Sequence, residues 1–330
     1  MKKHIYLIFS LLVIAGMLLS ACGQTAEKTQ APAEPAESVV ETKEAAPVET
    51  EAPAAAQPEQ AKAPDLDGAF GTLLAGMKAY NTVKPDALLA ELVEDTPPFL
   101  LDVRTTAEVE KAGHIPAAVN IPLAELAKHV DLLPAFDTPV VVYCGSGWRA
   151  TIAMTALSAL GWENVRALKT KFASWAEAGN PVEEGLPEPG MVLDTAHPDP
   201  ALLASIDAML SAIPKGFGVI SAEDFTLAMD DNPALVIIDV RKDAELEKGG
   251  IIDSGDIPQI HIPLEDFIAK QADWPQDKNA AIVVYCGSGH RSTMAMTILW
   301  AYGYTNVKSL KGGFGNWVKE GFSVKEYATP

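Results

Sequence analysis

The chain has 330 residues and a formal charge of −19, so it is long enough for two ordinary domains and strongly acidic. The acidic balance argues against nucleic acid, which needs clustered basic side chains to meet its phosphates. The three cysteines (Cys22, Cys144 and Cys286) are too few for a disulfide framework, and no Cys/His spacing typical of a metal site occurs. We therefore expect neither a metal nor another cofactor.

Residues 1–22 are predicted to be an export signal. Lys2-Lys3 precedes an apolar stretch, residues 5–19, that is too short to span a bilayer comfortably. Leu19-Ser20-Ala21-Cys22 resembles the bacterial lipoprotein signal box, whose cysteine is lipidated and becomes the new N-terminus. An ordinary secretory signal and a marginal membrane anchor are the alternatives, but only the lipoprotein interpretation explains Cys22. We expect an extracytoplasmic protein that is attached to a bacterial membrane through lipid on Cys22.

Residues 23–65 are predicted to be a disordered, acidic tether. They are rich in Ala, Pro, Glu, Gln and Thr, and they contain no aromatic residue and no hydrophobic period. Such a segment cannot bury enough apolar area to offset the entropy of ordering. Holding a folded part away from a membrane surface is its candidate role, and a segment without any role is the alternative.

From about Leu66 onward the chain is an internal duplication. Aligning Cys144 with Cys286 gives an offset of 142 residues, which also pairs residues 161–165 with 303–307. Upstream the offset falls to 137 and pairs residues 100–104 with 237–241. The difference predicts an insertion in the second copy, between the Asp-Val-Arg strand and the cysteine. We place the first domain at residues 66–182, a linker at 183–198 and the second domain at 199–330.

Each copy alternates short apolar runs with amphipathic stretches of helical period. That order predicts two α/β domains, each with a mainly parallel sheet covered by helices on both faces. Sheets of this kind bind ligands beyond the carboxyl ends of their strands. The cysteines fall at this edge, so it is the predicted site.

The same six-residue loop follows a buried apolar strand in each copy. The two cysteine loops are Cys144-Gly145-Ser146-Gly147-Trp148-Arg149 and Cys286-Gly287-Ser288-Gly289-His290-Arg291. Glycines let successive backbone amides converge on one point, and the start of the following helix adds partial positive charge there. Because a thiolate is an anion, this cradle favours it over the thiol. The loops therefore predict sulfur chemistry, with Cys144 and Cys286 as nucleophiles.

These features together resemble the rhodanese family of sulfurtransferases, in a tandem two-domain arrangement. The first copy carries Leu-Asp-Val-Arg104, the Gly113-to-Pro122 segment, its cysteine loop, and Leu168-Lys169 with Phe172 and Trp175. The second carries Ile-Asp-Val-Arg241, its cysteine loop, and Leu310-Lys-Gly-Gly-Phe314 with Trp317. The resemblance implies that a cysteine takes sulfane sulfur from thiosulfate or a polysulfide, holds it as a persulfide, and passes it to a thiol or cyanide. It leaves open a non-enzymatic carrier that delivers sulfur to a protein acceptor.

Loop length separates this interpretation from its main competitor. Rhodanese-like phosphatases and arsenate reductases carry Cys-x5-Arg, a loop one residue longer whose amides enclose a tetrahedral oxyanion. Both loops here are Cys-x4-Arg, the length associated with sulfur transfer.

Three departures from the family pattern stand out. Thr170-Lys171 replaces the usual Gly-Gly of the first copy, and residues 255–263 read as a shortened version of the Gly113 segment. In addition, both cysteines are present, whereas many tandem members keep only the C-terminal one.

The remaining site residues each have two interpretations. Arg149 and Arg291 would pair with an anionic donor or brace their loops, and the glycines and serines of the loops would supply amides. Asp102 and Asp239 would touch the site or brace loops by capping or by pairing with Arg104 and Arg241. Trp148 and His290 would select the donor or face water at the rim.

We expect both cysteines to accept sulfur and Cys286 to react faster. Its copy keeps Lys311-Gly312-Gly313, and a protonated or hydrogen-bonding His290 would favour the thiolate and an anionic donor. Trp175 and Trp317, at helical spacing from Phe172 and Phe314, are predicted to be core residues.

Overall fold

The computed structural model describes residues 62–194 and 196–327. The predicted signal peptide, Cys22 and nearly all of the predicted tether lie outside these residues. Within them, no helix is long and apolar enough to cross a bilayer.

The first half of the described chain alternates strands and helices, as the sequence predicts. Its elements are α1 (Leu66–Gly76), β1 (Thr82–Val83), α2 (Pro85–Glu91), β2 (Phe99–Asp102), α3 (Thr106–Ala112), β3 (Val119–Asn120), β4 (Val140–Tyr143), α4 (Trp148–Ala159), β5 (Val165–Leu168) and α5 (Phe172–Glu177), with a 3₁₀ segment at Leu123–Leu132. Local chemistry sets several of these bounds. α3 begins at a capping box formed by Thr105 and Glu108, and it ends at Gly113, whose φ is 75°.

The second half repeats this order with one added pair of strands. Its elements are α6 (Pro200–Ser211), β6 (Val219–Ile220), α7 (Ala222–Asp231), β7 (Val236–Asp239), α8 (Asp243–Gly249), β8 (Ile251–Ile252), β9 (Gln259–His261), β10 (Ile282–Tyr285), α9 (His290–Ala301), β11 (Val307–Leu310), α10 (Gly313–Lys319) and β12 (Val324–Lys325), with 3₁₀ turns at Leu264–Asp266 and Gln271–Asp273.

Each half forms a five-stranded parallel sheet, which confirms the predicted α/β fold. The strand orders are β1-β5-β4-β2-β3 and β6-β11-β10-β7-β9, and β8 and β12 form a separate antiparallel pair. β4 and β10 lie at the centre and are buried along their whole length. Such strands are continuous apolar runs because helices cover both faces of the sheet. Each cysteine follows one of these central strands directly.

Both sheets contribute to one shared core. α4 and α9, the helices that follow the cysteine loops, pack against each other, and α6 packs on the Leu123–Leu132 segment of the first half. The apolar cluster around them contains side chains from both halves, including both cysteines. The opposite faces have separate cores, where Trp175 and Trp317 are only 1% and 2% exposed, as predicted. The two cysteine loops therefore lead into helices that are in contact with each other.

The insertion in the second half lies next to β8, and the predicted match of Gly255 with Gly113 is wrong. Gly113 corresponds to Gly250, since each ends a helix with φ 75° and each carbonyl accepts a hydrogen bond from the arginine of the Asp-Val-Arg motif. The segment from Gly250 to Pro263 is therefore four residues longer than that from Gly113 to Pro122. The error arose because the Gly-x-Ile-Pro pattern recurs inside the inserted loop.

Candidate functional site

The sulfur of Cys144 lies under the start of α4. Its Sγ accepts hydrogen bonds from the amides of Gly147 (3.1 Å) and Ala150 (3.4 Å), and the residue is 1% exposed. Gly147 has φ 97°, a left-handed conformation that glycine adopts without steric cost. The two N–H groups and the helix N-terminus place partial positive charge beside the sulfur, a setting that suits an anionic sulfur.

The sulfur of Cys286 has a closely similar setting with one extra hydroxyl. Its Sγ accepts from the amide of Gly289 at 3.1 Å and lies 3.5 Å from Oγ of Ser292. Ser292 stands where the first half has Ala150, and its hydroxyl also lies 2.8 Å from that of Ser309. The sequence interpretation missed Ser292, although its position after the loop arginine in only one copy was visible.

Among the described residues, the other predicted amide donors do not reach the sulfurs. The amides of Gly145, Ser146, Gly287 and Ser288 make no hydrogen bond to Sγ there. Both serines are exposed, so they border the site at its outer side.

The loop arginines are buried and paired with glutamates of the same half. Arg149 contacts Glu108 through two hydrogen bonds of 2.5 and 2.6 Å, and Arg291 contacts Glu245 through two of 2.6 Å. The Arg149 guanidinium lowers the pKa of Glu108 to about 2, and Arg291 lowers the pKa of Glu245 in the same way. Of the two roles expected for the arginines, this geometry favours bracing. The glutamates were missed, although they occupy equivalent positions in both copies.

The Asp-Val-Arg motifs form buried ion pairs. Asp102 contacts the guanidinium of Arg104, which also donates to the carbonyl of Gly113 at 2.7 Å and lies 3.8 Å from the ring centre of Phe172. Asp239 and Arg241 repeat this arrangement in the second half. Each motif thus joins the end of one strand to the end of the next helix.

The turn that follows β5 in the first half differs from the turn that follows β11 in the second half. In the second half the amides of Phe314 and Gly315 donate to the carbonyls of Cys286 (2.7 Å) and Gly287 (2.9 Å). Gly313 is required here, because an added Cβ would lie 2.3 Å from the Cys286 carbonyl oxygen. The described backbone of the first half shows no equivalent bonds. There the amide of Thr170 donates to the carbonyl of Leu168, and Lys171 has an extended backbone. The second cysteine loop is consequently held by its own half more firmly than the first.

The two cysteine loops touch each other. An added Cβ on Gly289 would lie 2.6 Å from Cη2 of Trp148, so the indole covers the opposite loop. His290 in turn lies between the carbonyl of Tyr80, 2.7 Å from Nε2, and the hydroxyl of Thr151, 2.9 Å from Nδ1. Both are residues of the first half. Neither Trp148 nor His290 is a rim side chain that simply faces water.

Of the two states expected for His290, protonated or hydrogen-bonding, the structure favours the hydrogen-bonding one. The pKa of its imidazole is lowered to about 4, mainly by burial. The hydrogen bond to the Tyr80 carbonyl opposes this shift, and the nearby cations Lys169 and Arg291 add to it. Nε2 donates to the Tyr80 carbonyl, which can only accept. Nδ1 lies 2.9 Å from the Thr151 hydroxyl, which is also within 3.0 Å of the Gly147 carbonyl oxygen. The ring therefore supplies no positive charge to Cys286 at neutral pH.

Two cavities lie beside the loops, with volumes of about 430 and 920 Å³. The charged residues that line the smaller one are all cations, namely Lys169, Lys171 and Arg291. The larger one carries Lys171 and Lys311 together with Glu223 and Glu320. In an acidic chain, the smaller cavity is therefore the one of the two whose lining favours an anion. No group of His, Cys, Asp and Glu in the part of the chain that the structure describes is arranged to hold a metal ion.

Comparison with known proteins identifies similar chains. The family model for the rhodanese-like domain matches residues 85–178 and 221–320, more than half of the chain. A sulfurtransferase of Allochromatium vinosum is 30% identical over 105 residues, which are 32% of this chain and 92% of that protein. The 3-mercaptopyruvate sulfurtransferase of Escherichia coli K12 is 33% identical over 100 residues, 24% of this chain and 36% of that protein.

A solved structure, the thiosulfate sulfurtransferase of Pseudomonas aeruginosa, matches with 22% identity and a TM-score of 0.31. The match covers 75% of this chain and 44% of that one.

Proposed function

This chain belongs to the rhodanese family, and from that premise we propose that it transfers sulfane sulfur through persulfides on Cys144 and Cys286. It is an enzyme of the sulfurtransferase kind, in line with the names of its relatives. The observation that carries the proposal is the pair of amide cradles. In each half a buried sulfur accepts a backbone amide at 3.1 Å at the start of a helix.

The proposed reaction has two displacements at sulfur. The cysteine thiolate attacks the outer sulfur of thiosulfate, its S–S bond breaks, and sulfite leaves with the electron pair. The product is the persulfide Cys–S–S⁻. A thiol or cyanide then attacks the terminal sulfur and the cysteine thiolate leaves, which restores the enzyme. The cradle amides stabilise the thiolate that is present before the first step and after the second.

An anionic donor such as thiosulfate or a polysulfide agrees with the charges near the loops. Lys169 and Lys171 border the smaller cavity, which no carboxylate of the described residues lines. The loop arginines are already paired with Glu108 and Glu245, so these lysines are the cations left to attract the donor. Lys169→Gln should raise the KM for thiosulfate. Lys308→Gln is a matched control that should not, because Lys308 is exposed on β11 and lines neither cavity.

Turnover from thiosulfate to cyanide, followed as thiocyanate, tests the proposal. The full chain should form thiocyanate, each of Cys144→Ser and Cys286→Ser should reduce the rate, and the double variant should be inactive. Activity in the double variant would contradict a cysteine persulfide. If the cysteines take up sulfur but release it only to one protein acceptor, the protein is a sulfur carrier and not an enzyme.

We also propose that the enzyme acts outside the cytoplasmic membrane, attached through lipid on Cys22. The support is the sequence Leu19-Ser20-Ala21-Cys22 at the end of an apolar run of signal length.

A further inference from the structure

An unusual backbone turn precedes the first strand in each half. The three residues of the first turn (Ala79–Asn81) have φ values of 49°, 53° and 51°, and those of the second turn (residues 216–218) have 80°, 58° and 66°. For a residue other than glycine, a left-handed backbone costs about 1–2 kcal/mol. The first turn carries this strain three times, and the second turn carries it at Phe217 between two glycines. Strain kept in both copies indicates a constraint beyond folding each half.

Each turn holds one aromatic side chain in a fixed position. Tyr80 and Phe217 are equivalent under the 137-residue offset, and each occupies the centre of its turn. The Tyr80 ring centre lies 4.9 Å from Cζ of Arg291, and that of Phe217 lies 5.0 Å from Cζ of Arg149. Both contacts cross from one half to the other. Each loop arginine is thus held between a glutamate of its own half and a ring of the opposite half.

Each of the two cavities is lined by residues from both halves of the chain. Tyr80 and Lys169 of the first half line the smaller cavity with Ser288 and His290 of the second cysteine loop. The larger cavity has the equivalent set with the halves exchanged, namely Phe217, Lys311, Ser146 and Trp148. The smaller cavity is lined in addition by Ser146, Gly147 and Trp148 of the first loop. Each cavity therefore brings a cysteine loop of one half together with the turn of the other half.

The arginines connect these rings to the cysteine loops. An added Cβ on Gly145 would lie 3.2 Å from Nη2 of Arg149, and one on Gly287 would lie 3.2 Å from Nη2 of Arg291. Each guanidinium thus packs directly beneath the first glycine after its cysteine. A displaced arginine would shift the loop backbone and with it the amide that contacts the sulfur.

We propose that Tyr80 is a positioning residue for the Cys286 loop and Phe217 for the Cys144 loop, so that each half completes the sulfur site of the other. This inference rests on the proposed persulfide chemistry. It means that the tandem arrangement does more than hold two independent sites, since neither half contains the full surroundings of its own cysteine.

The test measures sulfur uptake at each cysteine of the full chain. After incubation with thiosulfate, alkylation and digestion with trypsin, Cys144 and Cys286 lie on different peptides, which end at Arg149 and Arg291. Tyr80→Ala should slow uptake at Cys286 about tenfold, equivalent to about 1.4 kcal/mol in the barrier, and leave Cys144 within about twofold. Phe217→Ala should give the reverse pattern.

Conservative variants separate positioning from stability. Tyr80→Phe and Phe217→Tyr keep the rings and should restore uptake to near the wild-type rate. Tyr80→Leu and Phe217→Leu keep apolar bulk without a ring, should fold where alanine does not, and should show the crossed loss. Equal slowing at both cysteines, slowing in the same half as the substitution, or no effect would overturn the inference. A wild-type chain that takes up no sulfur at all would instead defeat the proposed function.

Discussion

Alanine at Gly289 should destabilise the protein more than alanine at Gly147, although the two glycines hold the same place in the two cysteine loops. Their φ values are 95° and 97°, so the left-handed backbone costs alanine about 1–2 kcal/mol at either position. An added Cβ at Gly289 would lie 2.6 Å from Trp148 Cη2, whereas nothing lies within 4 Å of one at Gly147. Because the indole must move, we expect about 1–3 kcal/mol more at Gly289.

Urea denaturation of the two single variants measures this difference. Trp148→Ala, with and without Gly289→Ala, completes a double-mutant cycle that isolates the contact with the indole. Without the indole, the cost at Gly289 should fall towards that at Gly147, with a small remainder because the Gly312 amide nitrogen lies 3.3 Å from the added carbon. Equal losses at the two glycines, or a loss at Gly289 that does not depend on Trp148, would refute the contact between the loops.

Three further outcomes are expected. Glu108→Gln should lower the free energy of unfolding by about 1–2 kcal/mol at pH 6, a value reduced for the 43% exposure of Glu108. Because the folded pKa of this carboxyl is about 2 against 4.5, the gap should narrow as pH falls from 4.5 towards 2, and a gap unchanged at pH 3 would argue against the ion pair. The His290 imidazole should stay neutral down to about pH 4 in an NMR titration assigned with His290→Gln, and a midpoint near 6.5 would contradict its burial. Cys22→Ala should move the protein out of the membrane fraction or leave it unprocessed, and unchanged fractionation at the same mobility would end the lipid-anchor interpretation.

Local patterns correctly predicted the two repeated domains, the parallel sheets and the position of each cysteine loop between a central strand and a helix. These features depend on residues close together in the chain, such as the apolar runs of β4 and β10 and the glycines beside each cysteine. The buried Trp175 and Trp317 followed from the same spacing rules. Comparison of the two copies added the location of the insertion between the Asp-Val-Arg strand and the cysteine.

Contacts between residues that are far apart in the sequence could not be predicted from local patterns. Glu108 braces Arg149 from 41 residues away, and nothing in a helix start predicts such a partner. Tyr80 and His290 are 210 residues apart in the chain and meet where the two halves pack together. The desolvation that keeps His290 neutral is a result of that packing, so the sequence alone suggested a charge that the fold removes. The sequence did contain one sign of the unusual turns. Phe217 lies between two glycines, at the position that is equivalent to Tyr80 of the first copy.

The central claim is that both cysteines carry a persulfide. Intact-mass measurement of Cys144→Ser and Cys286→Ser chains after incubation with thiosulfate tests it most directly, with Cys22 replaced by alanine in both and the chain lacking all three cysteines as a control. Each single variant should gain the mass of one sulfur, faster where Cys286 remains, and the control should gain none. Sulfur on Cys144 alone would reverse the ranking of the two sites, and no gain in either variant would contradict the account.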